Sequence, residues 1–336
     1  MNTPAADNPL VRDSVGHQLA FGVVSYLKRN AGILLGLLVL CIIISVKSPI
    51  FLSSKNMLNV LRQISSNMYL ACGMTMVMIS GGIDLSVGAV IGVVGVMGAT
   101  LTETGLPLPL VLLICLAAGC CFGAVSGFIV SRTTIPAFIV TFSMMSILRG
   151  LAYVYTGGVT ARITNQSYIN VGTGYLGFLP LPVVYMLVIV VVVWLILAKS
   201  KFGRHLYALG GNEKAAKFSG IDTKNVRLMV YIFSGLMAAI AGVVLSARSY
   251  SGNPVAGDSA EMDAIAACAL GGISMNGGIG FLGGTIIGAL IIGFLSNGLN
   301  LMHIDSFWQT ILKGIVILVA VYVDYVKGQL KNKKVA

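Results

Sequence analysis

The chain has 336 residues, of which 57% are hydrophobic and only 10% charged. Soluble domains carry about a quarter charged residues, so this chain lacks the charge to cover a water-facing surface. Its formal net charge of +11 is gathered in loops and tails between apolar runs. That pattern fits orientation in a membrane and argues against a nucleic-acid patch.

The length is best divided into membrane spans, each needing roughly 20 apolar residues. Residues 1–30 form a polar tail ending in Lys28-Arg29. It offers no apolar core with a cleavage site, so the tail is expected to stay in the cytoplasm and the first span to anchor the chain uncleaved. That span is predicted over 31–46, followed by a short connection marked by Lys47, Lys55 and Arg62. A second apolar run covers 65–80, is broken by Gly81-Gly82, and gives way to a third over 85–101. Pro107 and Pro109 precede a fourth span at 110–130, and Arg132 and Pro136 mark the turn into a fifth at 137–155. A polar, glycine-rich loop from Thr156 to Pro180 leads to the sixth, 182–198. This span is nearly all β-branched residues and Leu, yet in lipid the unmet backbone groups require a helix.

The segment 199–227 holds seven Lys or Arg and two acids, Glu213 and Asp222. The seventh span is predicted over 228–247, a short or re-entrant eighth over 264–272, a ninth over 281–299 and a tenth over 308–326. A basic tail, 327–336, closes the chain. The N-terminal tail, the 199–227 loop and the C-terminal tail are the most basic segments, so all three are expected inside. Ten spans satisfy this and leave Glu103, Asp258, Glu261 and Asp305 outside. The predicted fold is therefore an all-α, polytopic transmembrane helical bundle with both termini cytoplasmic. One transmembrane domain is expected over 31–326.

No chemistry of catalysis or metal binding is visible. The six cysteines all lie in apolar runs without zinc-type spacing, and the three histidines lie in tails or loops. There is no phosphate-binding GxxxxGK[ST] loop, no GxSxG elbow and no HExxH. No metal and no cofactor are expected in this chain. No predicted span centre holds a carboxylate series, which argues against an ion-coupled pump.

Small residues recur at four-residue spacing, as in Gly88 and Gly92, in Gly119, Gly123 and Gly127, and in Gly284 and Gly288. Such spacing lets backbones approach closely in lipid. Gly81-Gly82-Ile83 is echoed by Gly277-Gly278-Ile279, a faint sign of an internal repeat. Asp84, directly after the first break, reads either as the cap of the third span or as a gating residue. In the basic loop, Asn212 is placed to cap a short helix beginning near Glu213. Ala215, Ala216 and Phe218 give that helix an apolar side, and Gly220 ends it. A short helix with an exposed apolar side suits a partner's groove.

At these residues the sequence resembles a known family. Glu213-Lys214-Ala215-Ala216 with Gly220 looks like the EAA-type loop of ABC importer permeases, in a form shorter than in other importers. Gly81-Gly82-Ile83-Asp84-Leu85-Ser86-Val87-Gly88 resembles the signature of the ribose/galactose/arabinose branch. Gly203-Arg204, Ala208-Leu209-Gly210-Gly211-Asn212 and Ala269-Leu270-Gly271-Gly272 look like the same branch.

The resemblance implies a permease subunit, not itself an enzyme, in a bacterial inner membrane. It implies a cytoplasmic ABC ATPase carrying two cassettes, a periplasmic sugar-binding protein, and a second permease copy or paralogue. It makes Glu213, Ala215, Ala216, Phe218 and Gly220 the ATPase-coupling residues, and Gly81, Gly82, Asp84, Ser86 and Gly88 the gating signature. An uncharged, hydroxyl- or amide-lined path suits a sugar, and Thr141, Ser143, Asn297 and Asn300 are candidate lining residues. An ion-coupled secondary transporter of a small polar solute is the alternative, and a non-transporting membrane scaffold is a third reading.

Overall fold

The computed structural model describes residues 34–333. The expected cytoplasmic tail 1–30 lies outside the described residues. Thirteen helices follow in order among those described: α1 (Leu34–Lys47), α2 (Ser54–Ile79), α3 (Val87–Glu103), α4 (Leu108–Arg132), α5 (Ala137–Thr156), α6 (Gln166–Thr173), α7 (Leu181–Lys199), α8 (Lys201–Gly211), α9 (Glu213–Phe218), α10 (Thr223–Ser249), α11 (Ala260–Leu270), α12 (Leu282–Leu301) and α13 (Ser306–Lys333). Five of them (α4, α5, α7, α10 and α12) are long and apolar enough to cross a membrane. The chain is a helical polytopic membrane protein.

Burial sorts the helices. α10 packs on α4, α3 and α2, and α11 and α12 close on α2; these contacts make the core. α7 turns Leu187, Val188, Val191, Val192, Trp194 and Leu195 outward. A helix so apolar on its exposed side is stable only where lipid replaces water. The repeated glycines of α4 let α10 approach: a Cβ on Gly119 would stand 2.6 Å from the Gly235 carbonyl oxygen.

The helices alternate in direction and define two ends of the bundle. At one end lie α9, the turn after α2 and the α4–α5 turn, which share a recess. At the other lies α6, within the segment expected to be a polar, glycine-rich loop. Asn165 caps α6 by accepting from the Ser167 and Tyr168 amides. Tyr168 is fully buried, and its hydroxyl bonds Ser246 of α10 at 2.9 Å. A two-residue strand β1 (Ala161–Arg162) pairs antiparallel with β4 (Ser251–Gly252). Between them β2 (Tyr175–Leu176) pairs with β3 (Leu179–Pro180).

Several boundaries differ from expectation; α10, for one, begins at Thr223 rather than at 228, capped by Asp222. α2 begins at Ser54 rather than near residue 65, because its polar first turns find partners. Asn56 donates to the Phe51 carbonyl at 2.8 Å and exchanges amide bonds with Asn297 of α12 at 3.0 and 3.1 Å. Arg62 therefore lies in the helix and not in a connection. The expected basic tail after 326 does not start at a helix end, since α13 runs on to Lys333. The eighth span is α11, eleven residues or about 16 Å long, half a membrane's thickness.

The Asn56–Asn297 pair has a measurable consequence. Asn297→Leu alone leaves a buried amide without its partner and should cost about 0.6–1.7 kcal/mol. The double change Asn56→Leu with Asn297→Leu should be milder than either single change. Thermal unfolding in detergent checks this, and a double variant worse than both singles refutes it.

Candidate functional site

The site is built where two glycine turns meet the glycine pair that ends α8, at the α9 end. α2 ends at Ile79 and the chain turns through Gly81, at φ +81°. The break between α11 and α12 turns through Gly277 and Gly278, and the Gly278 amide donates to the Ile79 carbonyl at 2.9 Å. The echoed tripeptides thus lie against each other in space. α8 closes the third side: a Cβ on Gly210 would fall inside the Ile79 carbonyl oxygen and 2.5 Å from the Gly278 amide nitrogen. The Tyr207 hydroxyl of α8 donates to the Gly280 carbonyl at 2.9 Å.

From this node the chain passes into α9. Asn212 accepts from the Ala215 amide at 3.0 Å and caps the six-residue helix, and Gly220 ends it at φ +80°. The expected apolar side is split by the geometry. Ala216 is buried, whereas Phe218 is 90% exposed and Ala215 is exposed one turn away on the outer side. Glu213 is tied back to α10, because Arg227 donates to both its oxygens at 3.1 and 2.7 Å. A recess of about 440 Å³ opens beside it, lined by Gly81, Gly82, Arg132, Thr134, Lys224 and Arg227 among others.

Two turns further along α10 the signature is anchored. Asp84 is 1% exposed. One carboxylate oxygen accepts from the Ser86 amide at 3.0 Å and its hydroxyl at 2.6 Å, and the other accepts from the Ser234 hydroxyl at 2.7 Å. Ser86, not Asp84, holds the cap position of α3. Asp84 is thus a buried tether between the signature turn and α10. Tyr231 lies between Arg227 and Ser234 on the same helix, with its buried hydroxyl 2.5 Å from where a Cβ on Gly82 would stand. Gly88 is open for another reason: a Cβ there would overlap Glu261 and the Gly257 carbonyl, which lie on the first turn of α11 and the segment before it.

The four candidate lining residues are not brought to one lumen. Thr141 is buried and donates to the Ile83 carbonyl at 3.1 Å, holding α5 to the signature. Asn297 is engaged with Asn56. Ser143 lies on the exposed side of α5, and Asn300 is exposed and bonded to Gln309 at 2.8 Å. Sequence reasoning placed Lys313 within the tenth span but missed the acids of α11. Glu261 is 7% exposed rather than in an outside loop, and Asp263 pairs with Lys313 of α13 at 2.9 Å. The signal for them was the shortness of the eighth apolar run, which left its acids inside the bundle.

A helical membrane bundle with a tethered signature turn and a capped loop helix tied back to α10 fits a membrane permease. Residues 56–321 match the family described as branched-chain amino acid transport system / permease component, and the chain belongs to that family. It is 44% identical over 302 residues to the ribose import permease protein of Bacillus subtilis, covering 89% of this chain and 94% of the relative. It is equally identical over 301 residues to that of Haemophilus influenzae, covering 88% and 93%. A xylose transport system permease protein of Haemophilus influenzae is 35% identical over 336 aligned positions, covering 82% and 90%. No solved structure matches the chain.

Proposed function

We propose that this chain is the permease subunit of an ATP-driven importer that carries a monosaccharide across a bacterial inner membrane. The relatives named for ribose and xylose support the sugar class over the amino acids in the family's description. The observation that carries the coupling assignment is α9: a capped helix, held to α10 through Glu213 and Arg227, with Phe218 turned fully outward. An aromatic side chain so exposed at the tip of a basic loop suits a pocket on a cytoplasmic ATPase with two cassettes. In this reading the α9 end is cytoplasmic, the α6 end faces a periplasmic sugar-binding protein, and a second permease copy or paralogue completes the pore.

Arg227 and Ser234 lie two turns apart on one face of α10. A push on α9 therefore reaches Asp84 through a single rigid helix. Glu213→Lys or Gly220→Val should leave the chain inserted and the ATPase active while sugar uptake falls at least tenfold. Phe218→Ala should weaken capture of the ATPase by about thirtyfold, a hot-spot loss of about 2 kcal/mol. The Glu213–Arg227 pair is exposed and contributes at most about 1 kcal/mol to stability, so these losses reflect coupling. Wild-type uptake in all three variants refutes the docking assignment.

Buried carboxylates favour one competing reading, an ion-coupled carrier. Uptake that collapses with an uncoupler yet survives ATP depletion establishes that reading instead.

A further inference from the structure

The segment between α10 and α11 does not stay outside the bundle. Gly252 lies against Ala99 of α3, Pro254 against Gly92, and Gly257 against Gly88. The chain thus descends eleven residues along α3, about 16 Å, in non-helical conformation. The spaced glycines of α3 serve this approach: a Cβ on Gly92 would stand 2.9 Å from the Pro254 carbonyl oxygen and 3.0 Å from Arg149. Arg149 of α5 pins the segment. Its guanidinium donates to the Pro254 carbonyl at 2.7 Å and the Ala256 carbonyl at 3.0 Å, and lies 3.9 Å from Asp258. Arg149 is seven residues inside the end of α5, about 10 Å deep.

At this depth two features are incompatible with lipid. Irregular backbone is tolerated within the hydrocarbon layer only where it is buried in protein or lines water. Charged side chains there face a bundle interior or an aqueous cavity. Yet the Asp258 side chain is 74% exposed, and Val255, Ser259 and Met262 are exposed beside it. Ser259 also has a left-handed backbone, φ +61°, and its hydroxyl does not cap α11. Non-glycine residues in that conformation gather at functional sites.

We propose that this surface, centred on Asp258 and Ser259, is a wall of the translocation path and binds a neutral polyhydroxylated solute in transit. The Asp258 carboxylate and Ser259 hydroxyl hydrogen-bond sugar hydroxyls, while Val255 and Met262 meet the apolar C–H face of the ring. Arg149 is a positioning residue that holds the segment in place. Asp258, with Glu261 close behind it, disfavours anionic solutes. The proposal rests on the importer reading only for the identity of the solute and for a second chain supplying the opposite wall.

The test uses the full transporter in membrane vesicles, with the native cysteines of this chain replaced. Ser259→Cys and Met262→Cys are exposed to a membrane-impermeant charged methanethiosulfonate, with lipid-facing Val191→Cys as control. Thiols react as thiolates, which requires water, so both should be modified at least about tenfold faster than the control, and more slowly when the sugar is present. Modification no faster than the control overturns the proposal. In the otherwise native chain, Asp258→Asn should raise the KM for uptake about tenfold, the loss of a charge-assisted hydrogen bond. An unchanged KM overturns the assignment of Asp258. The importer reading fails separately, if the wild-type transporter shows no ATP-dependent sugar uptake.

Discussion

Gly210→Val is expected to abolish uptake and to destabilise the assembled bundle by at least about 3 kcal/mol, at the upper end for overpacking. The reason is that the obstacles are backbone atoms. A side chain at Gly210 meets the Ile79 carbonyl and the Gly278 amide, which are hydrogen-bonded to each other. Neither can rotate away, so the clash must separate α8 from the turns after α2 and α11. Those turns carry the signature segment and the start of α12. Gly211→Ala, one residue on, is the control, because a Cβ there has nothing within 4 Å. Its expected cost is near zero. Thermal unfolding and uptake measured side by side decide the matter. Equal behaviour of the two variants removes the junction of α8 with these two turns as a structural element.

The second large effect is expected at Asp84. Asp84→Leu removes the acceptor for the Ser86 amide, the Ser86 hydroxyl and the Ser234 hydroxyl together. Each buried polar group left unsatisfied costs about 1–3 kcal/mol, so the variant should fail to accumulate or to transport. Asp84→Asn keeps the shape and one acceptor oxygen, and should retain more protein and more uptake than the leucine variant. Ser234→Ala breaks one bond and should be the mildest, at about 0.6–1.7 kcal/mol. Protein level in membranes gives the order. Full uptake by Asp84→Leu contradicts the assignment of Asp84 as the tether between signature and α10.

Much of the architecture was legible because lipid makes a simple demand. Apolar runs bounded by charge, proline or glycine become helices, and α4, α5 and α7 match their predicted spans to within two residues at each end. The cap at Asn212 and the stop at Gly220 were legible for a similar reason, being local hydrogen-bond and backbone geometry. Less local features were not. Asn56 and Arg62 looked like loop residues because their partners lie far along the chain: Asn297 for one and the Tyr175 hydroxyl for the other. Ala216 and Phe218 looked alike as apolar positions of one helix, and only the packing of α9 separates the buried one from the exposed one.

The sequence by itself determined the membrane setting, the position of apolar helices such as α4, α5 and α7, and the short helix in the basic loop. These follow from hydropathy, charge asymmetry and capping, which act over one helix at a time. Only the tertiary structure decided where the charges sit. Asp258 and Glu261 read as loop acids along the chain, and they enter the bundle because glycines on α3 leave a groove that the segment before α11 fills. The same holds for the two glycine turns packed against Gly210. Each is an ordinary turn in sequence, and what they build depends on backbones meeting across nearly two hundred residues of chain.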